Sequence, residues 1–477
     1  MAVINGRGTW GVRALIPNVI PSDSNWTRPA DWLALNAPTN STEQFTGLLA
    51  ITNDDSNYVT LGALSTGNYT VDWGDGNVTT HASGSIAYYK YDYSTISEST
   101  LSSRGYKQVV VKLTGTNITT LYTNRPHTAL ASATNVLYTW LEYHINLPNC
   151  ASLVMNKTNV TNGAYQTWVE KVTLNKLGNV LSFNSQFNLF YSLQELVVNA
   201  TTTSVVGANG MFNNCFYLKS VPLFDTSNVT DISSMFYQCY SLTTIPSFNF
   251  GSAISAGNTF YQCFPLASVP SLNLGNVSSL SQFFYQCQNL TTIDGLTTTK
   301  CTNFNNMFLG CISLKTVPLF DTSKATTIAG MFGTCYNLLE VPAFNTSLVT
   351  DFGNIFEGCY NLRTVPLMDT QRVTNFSYSF RQCLSLTKLP ALNLNAMTSF
   401  GGIFNANTTI TEAPFTNLKL TFSFVNLRLS RAAIVDIFNG LASGVTSKII
   451  TVSGNPGYAS LTAADRLIAT AKGWTIA

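Results

Sequence analysis

The sequence predicts a mostly β protein of the α+β class: a small N-terminal β-domain, a solenoid of stacked 24-residue coils and a C-terminal α/β cap. A strict repeat, alternating strands before it and helix-capping signals after it support this prediction. Hydrophobic residues make up 45% of the 477 residues, enough for a large core. The predicted units are a docking arm (1–42), the β-domain (43–117), irregular coils (118–186), the solenoid (187–414) and the cap (415–477).

Cysteine marks the repeat. A Phe lies three residues before each repeated Cys and a Leu three residues after it. Such a fixed period indicates coils stacked directly on one another. The eight cysteines, each 24 residues from the next, are Cys215, Cys239, Cys263, Cys287, Cys311, Cys335, Cys359 and Cys383.

Each coil turns an apolar side chain inward every three residues, as at Phe212, Cys215 and Leu218. We expect a short strand near L-x-x-V, ended by the following Pro, and a helical turn near S-S-M-F. A row of Asx residues is expected to satisfy turn N–H groups in successive coils. That row contains Asp225, Asn249, Asn273, Asp321, Asn345, Asp369 and Asn393.

The cysteines are interpreted as packing residues. A metal or redox array is the alternative, but the sequence has no C-x-x-C, and one thiol per coil is a poor chelate. Cys301 replaces a core Val and is also expected to be a buried free thiol. We expect no disulfides, no metal and no cofactor.

The repeat unit MFNNCFYLKSVPLFDTSNVTDISS resembles the leucine-rich repeats of the BspA-like surface-protein family over residues 187–414. Similar repeats occur in bacterial and protist surface proteins and in bacteriophage virion proteins. The resemblance implies a right-handed solenoid used for adhesion or display. It brings no catalytic residues.

Residues 43–117 contain G-N-Y-T-V-D-W-G-D-G, a strand running into an Asp-Gly turn, and later the alternating strand Y-K-Q-V-V-V-K. These segments resemble a PKD-like, immunoglobulin-type β-sandwich. Asp72 and Asp75 are candidates for binding Ca²⁺ together with Asp54 and Asp55. The alternative, which we favour, is that they form turns beside a core Trp73.

The segments before and after the repeats are predicted to cap the two ends of the solenoid. Residues 118–186 look like degenerate coils. Ser430 is predicted to cap one helix, and Thr462 with Asp465 to form a capping box for a second helix that Gly473 closes. A strand is predicted over 448–452. A solenoid needs such a cap because its last coil otherwise exposes apolar surface.

The first 42 residues carry Trp10, Trp26 and Trp32 without regular periodicity. These tryptophans are candidates for assembly docking to another subunit, or else they pack onto the chain's own β-sandwich. The segment W-T-R-P-A-D-W-L-A-L, followed by G-N-Y-T-V-D-W-G-D-G, also resembles structural proteins of marine bacteriophages.

Charge excludes several functional classes. Charged residues make up only 10% of the chain and the net charge is +2, so we expect no nucleic-acid partner. The sequence contains no run of about 18 apolar residues, so we expect no membrane insertion. The start, MAVINGRGTW, lacks a secretory signal, which predicts synthesis in a host cytoplasm and residence on a virion surface.

Catalytic patterns are also lacking in the sequence. His81, His127 and His144 accompany no recognised motif, and the proximity of Cys150 to His144 in sequence does not make a nucleophile pair. We therefore predict a protein that is not an enzyme.

Two rows of aromatic residues, one beside a row of amides, are the candidate binding residues. Such rows suit sugar faces and hydroxyls; the alternative is that they pack between coils or neighbouring chains. The first row is Tyr237, Tyr261 and Tyr285 with Gln238, Gln262 and Gln286, and the second is Phe216, Tyr240, Phe264, Tyr336 and Tyr360.

The function expected from these features is that of a bacteriophage virion structural protein: a tail fibre, an appendage or a head decoration. Its partners would be other virion proteins reached through the arm, further copies of itself, and a host-surface glycan or protein. A cellular surface adhesin or protein–protein interaction module is the alternative.

Overall fold

The computed structural model describes residues 26–35, 43–53, 57–123, 139–155 and 168–477. In these ranges the chain is mostly β, and it has no helix long and apolar enough to cross a membrane. The strands of the N-terminal half are β1 Gln44–Ile51, β2 Tyr58–Leu64, β3 Tyr69–Asp72, β4 Val78–His81, β5 Ile86–Lys90, β6 Lys107–Thr114, β7 Thr120–Tyr122, β8 Trp140–Leu147, β9 Ser152–Val154, β10 Lys171–Leu177 and β11 Glu195–Val198.

These strands form two sheets around a shared core. The larger sheet has the order β11-β10-β8-β1-β6-β3-β4, and the smaller one has the order β5-β2-β7-β9. Phe45 of β1 and Leu61 of β2 are fully buried in the same apolar cluster. The alternation of apolar and polar residues along β6 places Val109, Val111 and Leu113 on the buried side.

The larger sheet runs from the N-terminal β-domain directly into the coils. Strand β1 pairs antiparallel with β6 on one side and with β8 on the other, and β8 then pairs parallel with β10, and β10 with β11. The smaller sheet makes the same transition through the parallel pair β7 and β9. Both sheets therefore have strands on either side of the predicted boundary after residue 117, and the larger sheet also has strands on either side of residue 186.

The middle of the chain belongs to a β-solenoid of about 12 turns. Successive coils are joined mainly by single parallel bridges between residues 24 apart, such as Asp231 with Ser255 and Thr327 with Asp351. Prolines limit longer pairing because they donate no N–H. The short paired strands are β12 Ser268–Val269, β13 Leu272–Asn273, β14 Thr292–Ile293, β15 Leu296–Thr297, β16 Leu392–Asn393 and β17 Phe415–Thr416.

The segment before each Cys forms a chain of tight turns, where the sequence predicted a helical turn. The N–H groups of Phe212 and Asn214 donate to carbonyls of the next coil, at Met235 and Tyr237, both over 2.8 Å. In an α-helix these N–H groups would donate to carbonyls of the same helix. Here they donate to the next coil instead, so the segment forms turns and not a helix.

Ladders of like side chains fill the solenoid. The rings of Phe212, Phe236 and Phe260 stack with centroids 5.3 and 5.4 Å apart. The repeated leucines and all the cysteines are buried, which confirms the predicted burial, including that of Cys301. The main apolar cluster is continuous from Phe45 to Trp474, and a second, small cluster forms around Trp32, Leu48 and Tyr106.

The Asx row acts as predicted. Asp225 Oδ1 accepts a hydrogen bond from the backbone N–H of Ser227 over 2.8 Å, and Asp321 does the same for Ser323. The third carboxylate of the row, Asp369, and the four amides repeat this i to i+2 bond. These coils thus each close one turn with their own side chain.

The C-terminal segment covers the last coil. Its elements are β18 Phe422–Ser423, α1 Arg431–Gly440, β19 Lys448–Thr451, α2 Ala463–Thr470 and β20 Trp474–Ile476. Ser430 caps α1, and Thr462 with Asp465 forms the capping box of α2, which confirms both predictions. Ile434 and Phe438 of α1 are buried in the common core, so the helix seals the apolar end of the stack.

Candidate functional site

The first candidate row forms a column of tyrosine rings. The centroids of Tyr237 and Tyr261 are 4.6 Å apart with planes 9° apart, and those of Tyr261 and Tyr285 are 4.5 Å apart with parallel planes. Both faces of the Tyr261 ring are therefore covered by its neighbours. The three tyrosines are half-buried, and the same repeat position holds Asn213 in the coil before Tyr237 and Leu309 in the coil after Tyr285.

The amides beside this column form a hydrogen-bonded ladder. Gln238 Nε2 donates to Gln262 Oε1 over 2.8 Å, and Gln262 Nε2 donates to Gln286 Oε1 over 2.7 Å. All three glutamines have a left-handed backbone, with φ between 55° and 58°. The ladder ends at Gly310, where a Cβ would lie 2.8 Å from Gln286 Cγ. The three amides were predicted from the sequence to bind a ligand, but they hydrogen-bond to one another.

The second row also stacks. Phe216 lies between Tyr191 and Tyr240, with centroids 4.7 and 4.9 Å away, and Phe264 continues the row. After two coils without an aromatic residue at this position, Tyr336 and Tyr360 stack at 4.8 Å. The candidate rows lie on the solenoid as predicted, and their ring faces are used largely for contact between coils.

Burial shifts the pKa of two of these tyrosines, Tyr240 and Tyr261. Burial, together with the neighbouring Tyr285 and Tyr237, raises the pKa of Tyr261 to about 12. The pKa of Tyr240 is also raised, first by burial and then by Tyr237. These hydroxyls stay protonated at neutral pH and are available as hydrogen-bond donors and acceptors.

The repeated cysteines form a buried, hydrogen-bonded column. Each repeated thiol donates to the carbonyl of the Phe that lies near the start of the preceding coil, as Cys287 does to Phe260 over 3.1 Å. Burial raises the pKa of Cys287 well above its usual value, and it raises the pKa of Cys150 and of Cys301 to about 11. A buried protonated thiol is a poor nucleophile and a poor metal ligand.

The N-terminal tryptophans pack on the chain's own sheet. Trp32 is 4% exposed and its Nε1 donates to Tyr106 Oη over 3.1 Å. Trp26 Nε1 donates to Glu170 Oε2 over 2.8 Å. Trp10 lies outside the described residues. For Trp26 and Trp32 the structure therefore shows packing onto the chain's own sheet, which leaves little of Trp32 for docking to another subunit.

A partly buried ionic cluster contacts this segment, and sequence reasoning missed it. Two guanidinium groups, those of Arg28 and Arg104, lie over the Trp32 ring, each 5.6 Å from the ring centroid. Arg28 pairs with Glu142 over 2.6 Å, and Arg104 pairs with Glu170. Burial by itself would raise the pKa of Glu142, but hydrogen bonds with His144 and Arg28 outweigh burial and lower it.

The remaining polar candidates have structural partners. Asp72 Oδ1 accepts from the N–H of Gly74, while Asp75 accepts from the N–H of Asn77 and from Tyr89 Oη. These contacts match the turn-forming interpretation. Asp54 and Asp55 lie outside the described residues. No group of three His, Cys, Asp or Glu side chains suited to a metal occurs within the described ranges.

The histidines are similarly placed. His81 stacks on Tyr69 and bonds to Thr79, and His144 bonds to Glu142 over 3.2 Å. His127 lies outside the described residues. Cys150 donates to the carbonyl of Ser152, so its hydrogen bond does not go to His144.

Taken together, buried repeat leucines, stacked coils and a sealed end define a leucine-rich-repeat solenoid. The family model described as "Mycoplasma protein of unknown function, DUF285" matches residues 155–271, 258–364 and 331–417. These matches cover more than half of the chain, which belongs to this family, and its repeats are of the BspA-like kind.

Other comparisons are distant. A leucine-rich repeat protein from Eubacterium ventriosum is similar at 17% identity over 52% of this chain and 78% of its own, with a TM-score of 0.31. A plant peptide hormone receptor, RGFR1 in complex with RGF2, is similar at 12% identity over 70% of this chain and 76% of its own, with a TM-score of 0.18. No curated protein matches the chain.

Proposed function

We propose that this protein is a non-enzymatic binding and display scaffold, and specifically a structural protein of a bacteriophage particle. In this proposal the solenoid is presented for host-surface adhesion or for particle assembly, and the protein is present in several copies. The observation that carries it is the engagement of reactive side chains in packing: the repeated thiols bond to backbone carbonyls in the core, and Asp72 and Asp75 shape turns.

The particle assignment rests on two further points. The segments W-T-R-P-A-D-W-L-A-L and G-N-Y-T-V-D-W-G-D-G resemble those of marine bacteriophage structural proteins. The chain is rich in Ser, Thr and Asn and has only 10% charged residues, as in many particle-coat proteins. The proposal includes a PKD-like, immunoglobulin-type sandwich in residues 43–117, whose two sheets are extended by β7 and β8 beyond that boundary, and a right-handed solenoid of 24-residue coils.

A cellular surface interaction module is the second candidate. The matching family is described from a Mycoplasma protein, so the fold also belongs to cellular organisms. Mass spectrometry separates the two candidates: the first expects the chain in purified phage particles at a fixed ratio to the capsid protein. Detection in a cell-envelope fraction, with none in particles, would overturn the first candidate and support the second.

For adhesion, we propose that a host glycan binds along the edge of the tyrosine column. The hydroxyls of Tyr237, Tyr261 and Tyr285 are presented at intervals of about one coil, and the half-buried ring edges beside them offer apolar contact to a sugar. A glycan array probed with the full chain tests this. Tyr285→Ala should lose binding, whereas substitution of the separate exposed Tyr378 should not; an array with no positive glycan would contradict the idea.

A further inference from the structure

An exposed apolar stripe runs along four coils near the C-terminal end of the solenoid. Its outermost side chains are Leu319, Ala343, Leu367 and Ala391, one from each coil at the same repeat position. Leu319 is 68% exposed and Leu367 is 71% exposed. Each follows a half-buried proline (Pro318, Pro342, Pro366 and Pro390), so the stripe is rigid as well as apolar. Exposed apolar surface of this kind indicates an interface.

The order of side chains in the stripe is large, small, large, small. Read in the opposite direction, the order is small, large, small, large. Two copies packed face to face in antiparallel orientation would therefore place Leu319 on Ala391 and Leu367 on Ala343, and each contact would occur twice. Both copies have the same spacing between coils, about 4.8 Å, so all four contacts form in register.

The polar rows beside the stripe obey the same symmetry. On one side the order is Asp321, Asn345, Asp369, Asn393, so antiparallel packing sets each carboxylate against an amide. On the other side the order is Thr316, Glu340, Thr364, Lys388, which sets each charge against a threonine hydroxyl. No like charges face each other in these rows.

We infer that this stripe is a self-association surface on which a second copy of the chain docks in antiparallel orientation, with the twofold axis between the coils of Ala343 and Leu367. The stripe spans about 14 Å along the solenoid, less than a standard interface of about 800 Å² per partner requires. The dimer is therefore weak and concentration-dependent in solution. The inference does not depend on whether the protein belongs to a particle or to a cell surface.

Sedimentation velocity of the full chain over a wide concentration range tests the surface. The wild-type protein should shift from monomer to dimer. Leu367→Asp should weaken the dimer by more than about a hundredfold, because the symmetry places the buried carboxylate in the contact twice. Leu223→Asp is the matched control: Leu223 is 64% exposed at the same repeat position, outside the stripe, and this change should leave the dimer unaltered.

A size swap tests the register. Ala343→Leu alone should weaken the dimer by about tenfold, because the introduced leucine would meet Leu367 of the other copy. Adding Leu367→Ala exchanges the large and small positions and should restore the affinity to within about threefold. Circular dichroism checks that each variant is folded. A chain that stays monomeric at every concentration, or a double variant that is weaker than both single variants, would overturn the inference.

Discussion

At the scale of single residues, the thiol column couples stability to alkaline pH. Burial raises the pKa of every cysteine in the described chain, Cys150 and Cys301 to about 11 and the repeated ones further. In the unfolded chain a thiol ionises with a pKa of about 8.5. The unfolded state therefore binds fewer protons than the folded state above that pH.

The thiol contribution to stability should accordingly be constant below about pH 8, and stability should fall as the pH rises further, by up to about 1.4 kcal/mol per pH unit for each buried thiol. Urea unfolding midpoints measured between pH 7 and pH 10 check this. Cys287→Ala should be less stable at pH 7, because it leaves a small cavity, but its stability should fall less steeply with pH. Equal slopes for the variant and the wild type would contradict the explanation.

Asn407 occupies the position that cysteine holds in the other coils. Its Nδ2 donates to the carbonyl of Phe380 over 2.6 Å and so reproduces the thiol's hydrogen bond. Its buried Oδ1 has no hydrogen-bond partner in the part of the chain that is described. An unsatisfied buried oxygen costs about 1–3 kcal/mol.

We therefore expect Asn407→Cys to stabilise the protein by about 1 kcal/mol, because the thiol keeps the bond and removes the unsatisfied oxygen. Thermal unfolding at pH 7 measures the change. Asn407→Ala is the control: it removes the oxygen as well, but it leaves the Phe380 carbonyl unbonded, so it should stabilise less or destabilise. A lower melting temperature for Asn407→Cys would be evidence against this account.

At the scale of the coil, stacking of like side chains holds neighbours together. Phe308 lies between Phe284 and Phe332, with centroids 5.6 and 5.7 Å away, and it is fully buried. Phe308→Ala should cost about 3–5 kcal/mol. Because each coil contacts mainly its neighbours, the loss should also uncouple the two halves of the solenoid.

Hydrogen exchange followed by mass spectrometry should then show two protection classes that meet near residue 308. Leu319→Ala, an exposed change in the same repeat, should leave exchange unchanged when the protein is dilute. A single cooperative transition in the Phe308→Ala variant, with uniform loss of protection, would show that coupling is not carried by nearest neighbours alone.

The strict period made the coil interior predictable. Buried cysteines, the Asx turns and the caps at Ser430 and Thr462 depend on local spacing, which a sequence displays directly. The stacking that covers the faces of Tyr261 follows from the same period, and was the weighed alternative to sugar binding. The turns that replace the predicted helix were not foreseen, because left-handed residues such as Gln262 leave no clear signal in sequence.

At the scale of the whole molecule, the contacts that sequence reasoning missed join distant residues. Trp32 bonds to Tyr106, and Arg28 pairs with Glu142, across separations that no local pattern records. The same holds for the pairing of β1 with β8, which fuses the N-terminal sheets to the coils. The β-domain at 43–117 is predicted as a unit because composition and motif change there, and the structure adds that both sheets continue past residue 117.

This continuity predicts that residues 43–117 do not fold alone. A fragment ending at 117 lacks β8, the partner of β1, and lacks β7 and β9, so a central strand of the larger sheet becomes an exposed edge. We expect the circular dichroism and NMR spectra of the isolated fragment to be those of a disordered or aggregated chain. The matched control is a chain of residues 26–477, which keeps all the described pairings and should unfold at the temperature of the full protein. A folded 43–117 fragment with dispersed NMR signals would show that this domain folds independently. Its pairing with the coils would then be a contact between two separately folded domains.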